Sequence, residues 1–160
     1  MFGTDVRALA IAASLLLILP ACGSDDEAAP TPATTAAAAD TTALFGRYER
    51  EVTQADIDRT AAKRAEGQEV PAPGRHRLVV NQGVMQVFLP DGFQISLELT
   101  VEGDTWRIGR YTGGQGVFCT DSGPATYTWK LDDDELTLTA TSDACADRDS
   151  TLTGVWTKTE

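Results

Sequence analysis

The sequence predicts an all-β domain, an antiparallel up-and-down barrel of about eight strands with one short helix after the first strand. Three observations carry this. From Arg75 onward apolar and polar residues alternate with period 2, most clearly over Phe93-Gln94-Ile95-Ser96-Leu97-Glu98-Leu99-Thr100-Val101, the pattern of a strand with one buried face. Turn signals punctuate the runs at Asn81-Gln82-Gly83, Pro90-Asp91-Gly92, Glu102-Gly103-Asp104 and Asp132-Asp133-Asp134, so consecutive strands are joined by hairpins. Helical patterns of crossover length are missing after the first strand's helix, which excludes a parallel sheet. Connections this short favour closure into a barrel over a sandwich or Greek key, and closure removes exposed edges.

The elements follow in order. Ala8 to Leu19 is an apolar run, far short of the roughly 20 residues that a membrane-crossing helix needs. It ends in Leu19-Pro20-Ala21-Cys22, which resembles the lipobox of bacterial lipoprotein signals. The resemblance implies cleavage before Cys22, lipidation of that cysteine, and residues 1–21 as a lipoprotein signal peptide. Residues 22–43 are rich in Asp, Ala, Thr and Pro with almost no bulky apolar side chain, so they cannot offset the entropy of ordering and are expected to form a disordered tether. Such a tether reaches roughly 25 Å. Residues 44–160 form the β-barrel domain.

Within the domain, Phe45-Gly46-Arg47-Tyr48-Glu49-Arg50-Glu51-Val52 is the first strand. Thr53-Gln54-Ala55-Asp56 places a hydroxyl and a carboxylate as a capping box, opening a helix expected to run to about Glu66 and stop at Gly67. Its few apolar residues are mostly alanine, so it covers a rim or barrel end. Val70-Pro71-Ala72-Pro73-Gly74 is an extended connector. Tyr127-Thr128-Trp129-Lys130-Leu131 and Leu136-Thr137-Leu138-Thr139-Ala140 repeat the alternation.

Charge limits the partners. From Leu44 onward there are 12 Lys or Arg against 19 Asp or Glu, a net −7. An acidic domain has no footprint for nucleic acid and is repelled by anionic lipid heads, so membrane attachment is expected through the lipid on Cys22, at the outer face of the cell membrane. In that oxidising space Cys119 and Cys145 are an even pair and are expected to form a structural disulfide. No partner protein is identified, and the domain is expected to be a monomer.

The strand order is similar to that of lipocalin-like (calycin) barrels, in particular the small exported barrel domains of actinobacterial lipoproteins. Phe45-Gly46-Arg47-Tyr48 resembles the lipocalin G-x-W motif, with Tyr48 where the tryptophan stands. Gly123-Pro124-Ala125-Thr126-Tyr127-Thr128-Trp129, Asp143-Ala144-Cys145-Ala146-Asp147-Arg148 and Leu152-Thr153-Gly154-Val155-Trp156 resemble the closing half of that group. The resemblance implies a barrel that holds a small apolar or amphipathic molecule. It also implies an arginine, here Arg148, sealing one end by stacking on Trp129 or Trp156.

Candidate chemistry is sparse. His76, the only histidine, lies at a strand start between Arg75 and Arg77 and is expected to be a solvated edge residue. No local signature joins it to Ser96, Ser122, Ser142 or Ser150 in a triad, so no catalytic residue, metal site or cofactor is expected. Asp132-Asp133-Asp134-Glu135 lacks calcium-loop spacing and reads as a hairpin tip. Gly113-Gly114-Gln115-Gly116 opens no helix and reads as a loop before Cys119. Asp143 and Arg148 are expected to pair and brace the segment before the last strand, where Trp156 packs. The remaining candidate is the inward face. Phe93, Ile95, Leu97, Leu99, Trp106, Ile108, Tyr127, Trp129, Leu136 and Leu138 are expected to point inward, and Phe93, Ile95, Leu97, Leu99, Trp106, Tyr127 and Trp129 would line a ligand pocket. The leading reading is a lipid-anchored protein binding a small molecule in its barrel. The alternative is a filled barrel acting as an envelope protein–protein interaction module or inhibitor. Whether the interior is hollow separates them.

Overall fold

Eight antiparallel strands pair in sequence order and close into a barrel in a computed structural model that describes residues 41–66, 70–116, 118–119 and 123–160. They are β1 (Gly46–Val52), β2 (Gly74–Asn81), β3 (Val84–Phe88), β4 (Gln94–Glu102), β5 (Thr105–Gly114), β6 (Ala125–Asp132), β7 (Glu135–Ser142) and β8 (Gly154–Lys158). The seam between β1 and β8 is short: Tyr48 opposes Lys158 and Glu49 opposes Thr157. Two further backbone bonds extend it, Arg47 N to Glu160 O at 3.0 Å and Thr159 N to Arg47 O at 2.8 Å. The expected signal peptide, nearly all of the tether and the Gly67 helix stop lie outside the described residues.

The two barrel ends differ. One carries the tight turns at 82–83, 103–104 and 133–134, with Gly83, Gly103 and Asp133 in the left-handed region that such turns demand. The Asp132–Glu135 carboxylates form a hairpin tip, as the sequence predicts. A 3-10 turn, Thr41–Leu44, covers this end. It buries Leu44 completely and is tied down by Tyr48 Oη donating to Leu44 O at 2.9 Å. This turn begins before Leu44, where the sequence places the start of the barrel domain, and packs as part of the barrel.

The other end carries the long connections and two helices. α1 (Gln54–Arg59) starts at the expected capping box: Asp56 N donates to Thr53 Oγ1 at 3.3 Å and Thr53 N to Asp56 Oδ2 at 2.9 Å. It is shorter than expected, giving way at Thr60 to a 3-10 turn over Ala61–Lys63. Ile57 is its buried residue, so alanines alone offer little to hold a longer helix down. A second helix, α2 (Ala146–Leu152), was not legible in the sequence. All seven of its residues are buried, so it lacks the one-sided apolar stripe that marks a surface helix. Cys145 caps it and is bonded to Cys119, with Cα atoms 5.8 Å apart.

Two expectations about the strands are corrected. Phe93 is 46 % exposed and precedes β4. Its N–H is bonded to Asp91 Oδ1 at 3.0 Å and its carbonyl to Leu89 N at 2.9 Å, so the turn sets its direction before the pleat begins. Gly113 and Gly114 are not loop but the end of β5, opposite Ser96 and Ile95. A Cβ on Gly114 would stand 2.2 Å from Gln94 O, which only glycine avoids.

Candidate functional site

The interior is the first place to look. All eight strands send a side chain into one cluster: Tyr48, Leu78, Met85, Ile95, Trp106, Tyr127, Leu136 and Trp156 are each 0–1 % exposed. A chamber able to hold even one water would leave accessible area on the side chains lining it. Among these side chains there is next to none. Leu97 and Leu99 are inward too, at 5 % and 4 %, where a β-bulge interrupts the β4–β5 register. The same irregularity leaves Ser96 buried beside Ile95 and Leu97, a break in strict alternation. Trp129 keeps the inward parity of Tyr127 and packs against the core cluster, half-buried near the hairpin end, where its Nε1 donates to Gly103 O at 2.9 Å. Trp156 is fully buried and donates to Leu152 O at 2.9 Å.

The helix end, where a ligand would enter an open barrel, is closed by paired charges. Asp143 accepts from Arg148 Nε at 2.9 Å and Arg148 Nη2 at 2.8 Å, from Cys145 N at 2.8 Å, and from the Tyr127 hydroxyl. Arg148 and Asp143 therefore form the expected pair. The expected stacking of Arg148 on Trp129 or Trp156 is not its role; its fork is spent on Asp143 and on Gly123 O. Burial disfavours the Arg148 cation, but bonding to Asp143 outweighs this and holds its pKa above the usual arginine value. Burial and the Asp143 charge push the Tyr127 hydroxyl far up, keeping it protonated.

Around this pair the helices lock by charge. Lys63 Nζ lies 2.6 Å and Arg59 Nη1 3.3 Å from the Asp149 carboxylate, which also accepts from Thr153 Oγ1 at 2.7 Å. Burial pulls Asp149 upward, yet these donors and cations outweigh it and set its pKa below the usual carboxylate range. Arg64 faces Asp147 at 3.6 Å. Arg50 reaches from β1 to Asp56 at 2.7 Å and donates to Ser150 O at 3.2 Å and Thr151 O at 2.8 Å, carbonyls of the last turn of α2 that a cation suits.

His76 corrects another expectation. It is 1 % exposed, and its Nδ1 lies 2.9 Å from Gly74 O. Burial lowers its pKa, and nearby Arg50 pushes the same way. Its charged neighbours in sequence point outward while His76 shares the inward face with Leu78 and Val80. The same parity places Arg50 between Tyr48 and Val52. Pleat parity was the signal that could have revealed both. Ser150 Oγ donates to Asp147 O at 3.0 Å, and Ser142 is exposed; Ser122 lies outside the described residues. No group of three metal-binding side chains occurs among the described residues.

Outside the barrel wall the surface is hollowed. A groove of about 740 Å³ runs over the outward faces of β1, β2 and β3, lined by Gly46, Arg47, Tyr48, Glu49, Arg77, Val79, Asn81, Gln86, Phe88, Thr159 and Glu160. Arg47 pairs with Glu160 at 3.0 Å and Glu49 with Arg75 at 3.7 Å. Arg77 instead lies over the Phe88 ring, 4.8 Å from its centroid. No family model, curated protein or solved structure matches the chain.

Proposed function

We propose that this chain is a lipid-anchored extracytoplasmic barrel that acts by binding through its outer surface, without catalysis, as an envelope interaction module. The observation that carries this reading is the filled interior. The eight inward side chains of the core cluster, one from each strand, are 0–1 % exposed, and α1, α2 and the buried Asp143–Arg148 pair cover the helix end. The hollow, lipocalin-like binder is the reading that this packing disfavours. Leu19-Pro20-Ala21-Cys22 supports anchoring through Cys22, and the Cys119–Cys145 bond suits an oxidising compartment.

Two measurements test the proposal. Leu97→Trp should overpack a filled core and cost about 1 to 3 kcal/mol in urea unfolding. A change near zero, with loss of binding of an apolar probe, would restore the hollow barrel. Cys22→Ala should release the protein from membranes, since an acidic domain has no other anchor. Retention of that variant on membranes after a salt wash would overturn lipid anchoring.

A further inference from the structure

We propose that the groove outside β1–β3 binds a small amphipathic carboxylate, with Arg77 taking the anionic head and Val79 and Phe88 receiving the apolar body. This goes beyond the proposed function, which leaves the bound species open.

The argument starts from unspent groups. On a domain of net charge −7, arginines are normally consumed by neighbouring acids. Arg47 is held by Glu160. Glu49 stands opposite Arg77 across the β1–β2 ladder, but its carboxylate is turned to Arg75. Arg77 has no ion pair or hydrogen bond among the described residues and is instead stacked on Phe88. The ring takes no hydrogen bond from the guanidinium 4.8 Å above it, so the N–H donors of Arg77 remain for a carboxylate, which an arginine can hold through two parallel bonds.

The rest of the groove matches such a ligand. Val79 lies between Arg47 and Gln86 in the strand register, and Phe88 lies opposite Arg77, giving an apolar floor beside the cation. Asn81 and Gln86 carry side-chain amides without hydrogen-bond partners among the described residues, available to polar atoms along the ligand. A volume of about 740 Å³ is the size of a site for one small molecule.

The test uses dansyl-labelled undecanoic acid and its methyl ester as fluorescent probes, titrated into the full disulfide-bonded protein in aqueous buffer. The acid should bind saturably, and the ester about tenfold more weakly, because it lacks the charge-assisted bonds. Arg77→Gln should weaken the acid by about tenfold or more and abolish the preference over the ester. Phe88→Ala should weaken both probes, and Leu97→Trp should change neither. Absence of saturable binding, equal affinity for acid and ester, or wild-type affinity in Arg77→Gln would each overturn the groove site. Loss of binding in Leu97→Trp with Arg77→Gln unaffected would place the probe inside the barrel, overturning the groove site and the filled-barrel reading together. Absence of binding accompanied by the expected overpacking cost of Leu97→Trp would sink the groove alone.

Discussion

Asp143 is the residue on which the helix-capped end depends, and its removal should be costly out of proportion to its size. Its side chain is fully buried, and the Arg148 side chain against it is 5 % exposed. Asp143→Ala strands the Arg148 guanidinium in that site without its carboxylate, although its bond to Gly123 O remains. It also unpartners the Tyr127 hydroxyl and Cys145 N. Breaking a buried ion pair from one side costs about 3 to 5 kcal/mol, a large fraction of the roughly 5 to 15 kcal/mol that holds a domain together. For a chain of this size the melting temperature should fall by about 10 to 20 °C. Urea unfolding followed by fluorescence of Trp106, Trp129 and Trp156 measures the loss. A double-mutant cycle with Arg148→Met isolates the pair. Removing both charges leaves neither buried alone, so the double variant should be less destabilised than the sum of the singles by about 2 kcal/mol or more. Additivity within about 0.5 kcal/mol would refute the coupling, and a single-variant cost below about 1 kcal/mol would refute the assignment of Asp143 as a buried acceptor.

Three further outcomes follow from the same end of the barrel. Replacing Cys119 and Cys145 by serine should cost about 3 to 4 kcal/mol, since the bridge closes 26 residues of chain, while the fold survives; two reactive thiols in the native protein would contradict the bond. Gly154→Ala should cost about 2 to 4 kcal/mol, because Gly154 has φ +139° and a Cβ there would stand 2.6 Å from Arg50 Cζ, dislodging the guanidinium from Asp56 and α2; circular dichroism melting of the variant at wild-type temperature would count against it. Burial lowers the His76 pKa, so the unfolded chain takes up the proton first as pH falls. Its contribution is therefore complete above about pH 6.5 and is lost as pH drops from there through the folded value. Asp149, whose folded pKa is depressed, keeps its contribution down to the ordinary carboxylate pKa and loses it only at stronger acidity. His76→Gln should flatten the dependence of the urea midpoint just below pH 6.5 and leave the more acidic decline intact; an unchanged slope would show that His76 does not titrate differently in the two states.

The barrel was readable because its information is local. Alternation such as Ile95-Ser96-Leu97-Glu98-Leu99 defines two faces by the pleat alone, and the turn residues between runs set hairpin order, so strand count and closure needed no long-range knowledge. The Thr53–Asp56 capping box is local in the same way, and it formed as expected. The disulfide was readable because only two cysteines remain after Cys22. Other features depend on what a residue meets across the barrel. Phe93 has the parity of Ile95 but is turned out by its bonds to the 89–93 turn. His76 and Arg50 have the parity of core residues despite their polarity, and their partners, Gly74 O for His76 and the carbonyls of α2 for Arg50, come from the folded barrel end. α2 itself carries Ala146-Asp147-Arg148-Asp149-Ser150, a polar string with no apolar stripe. It is helical and buried because Lys63 and Arg59 neutralise Asp149 and Asp143 spends Arg148. The outer groove depends on register as well: Arg77 meets Phe88 only because β2 and β3 pair as they do. Periodicity decides which face a residue occupies, whereas the partner waiting on that face is a tertiary fact.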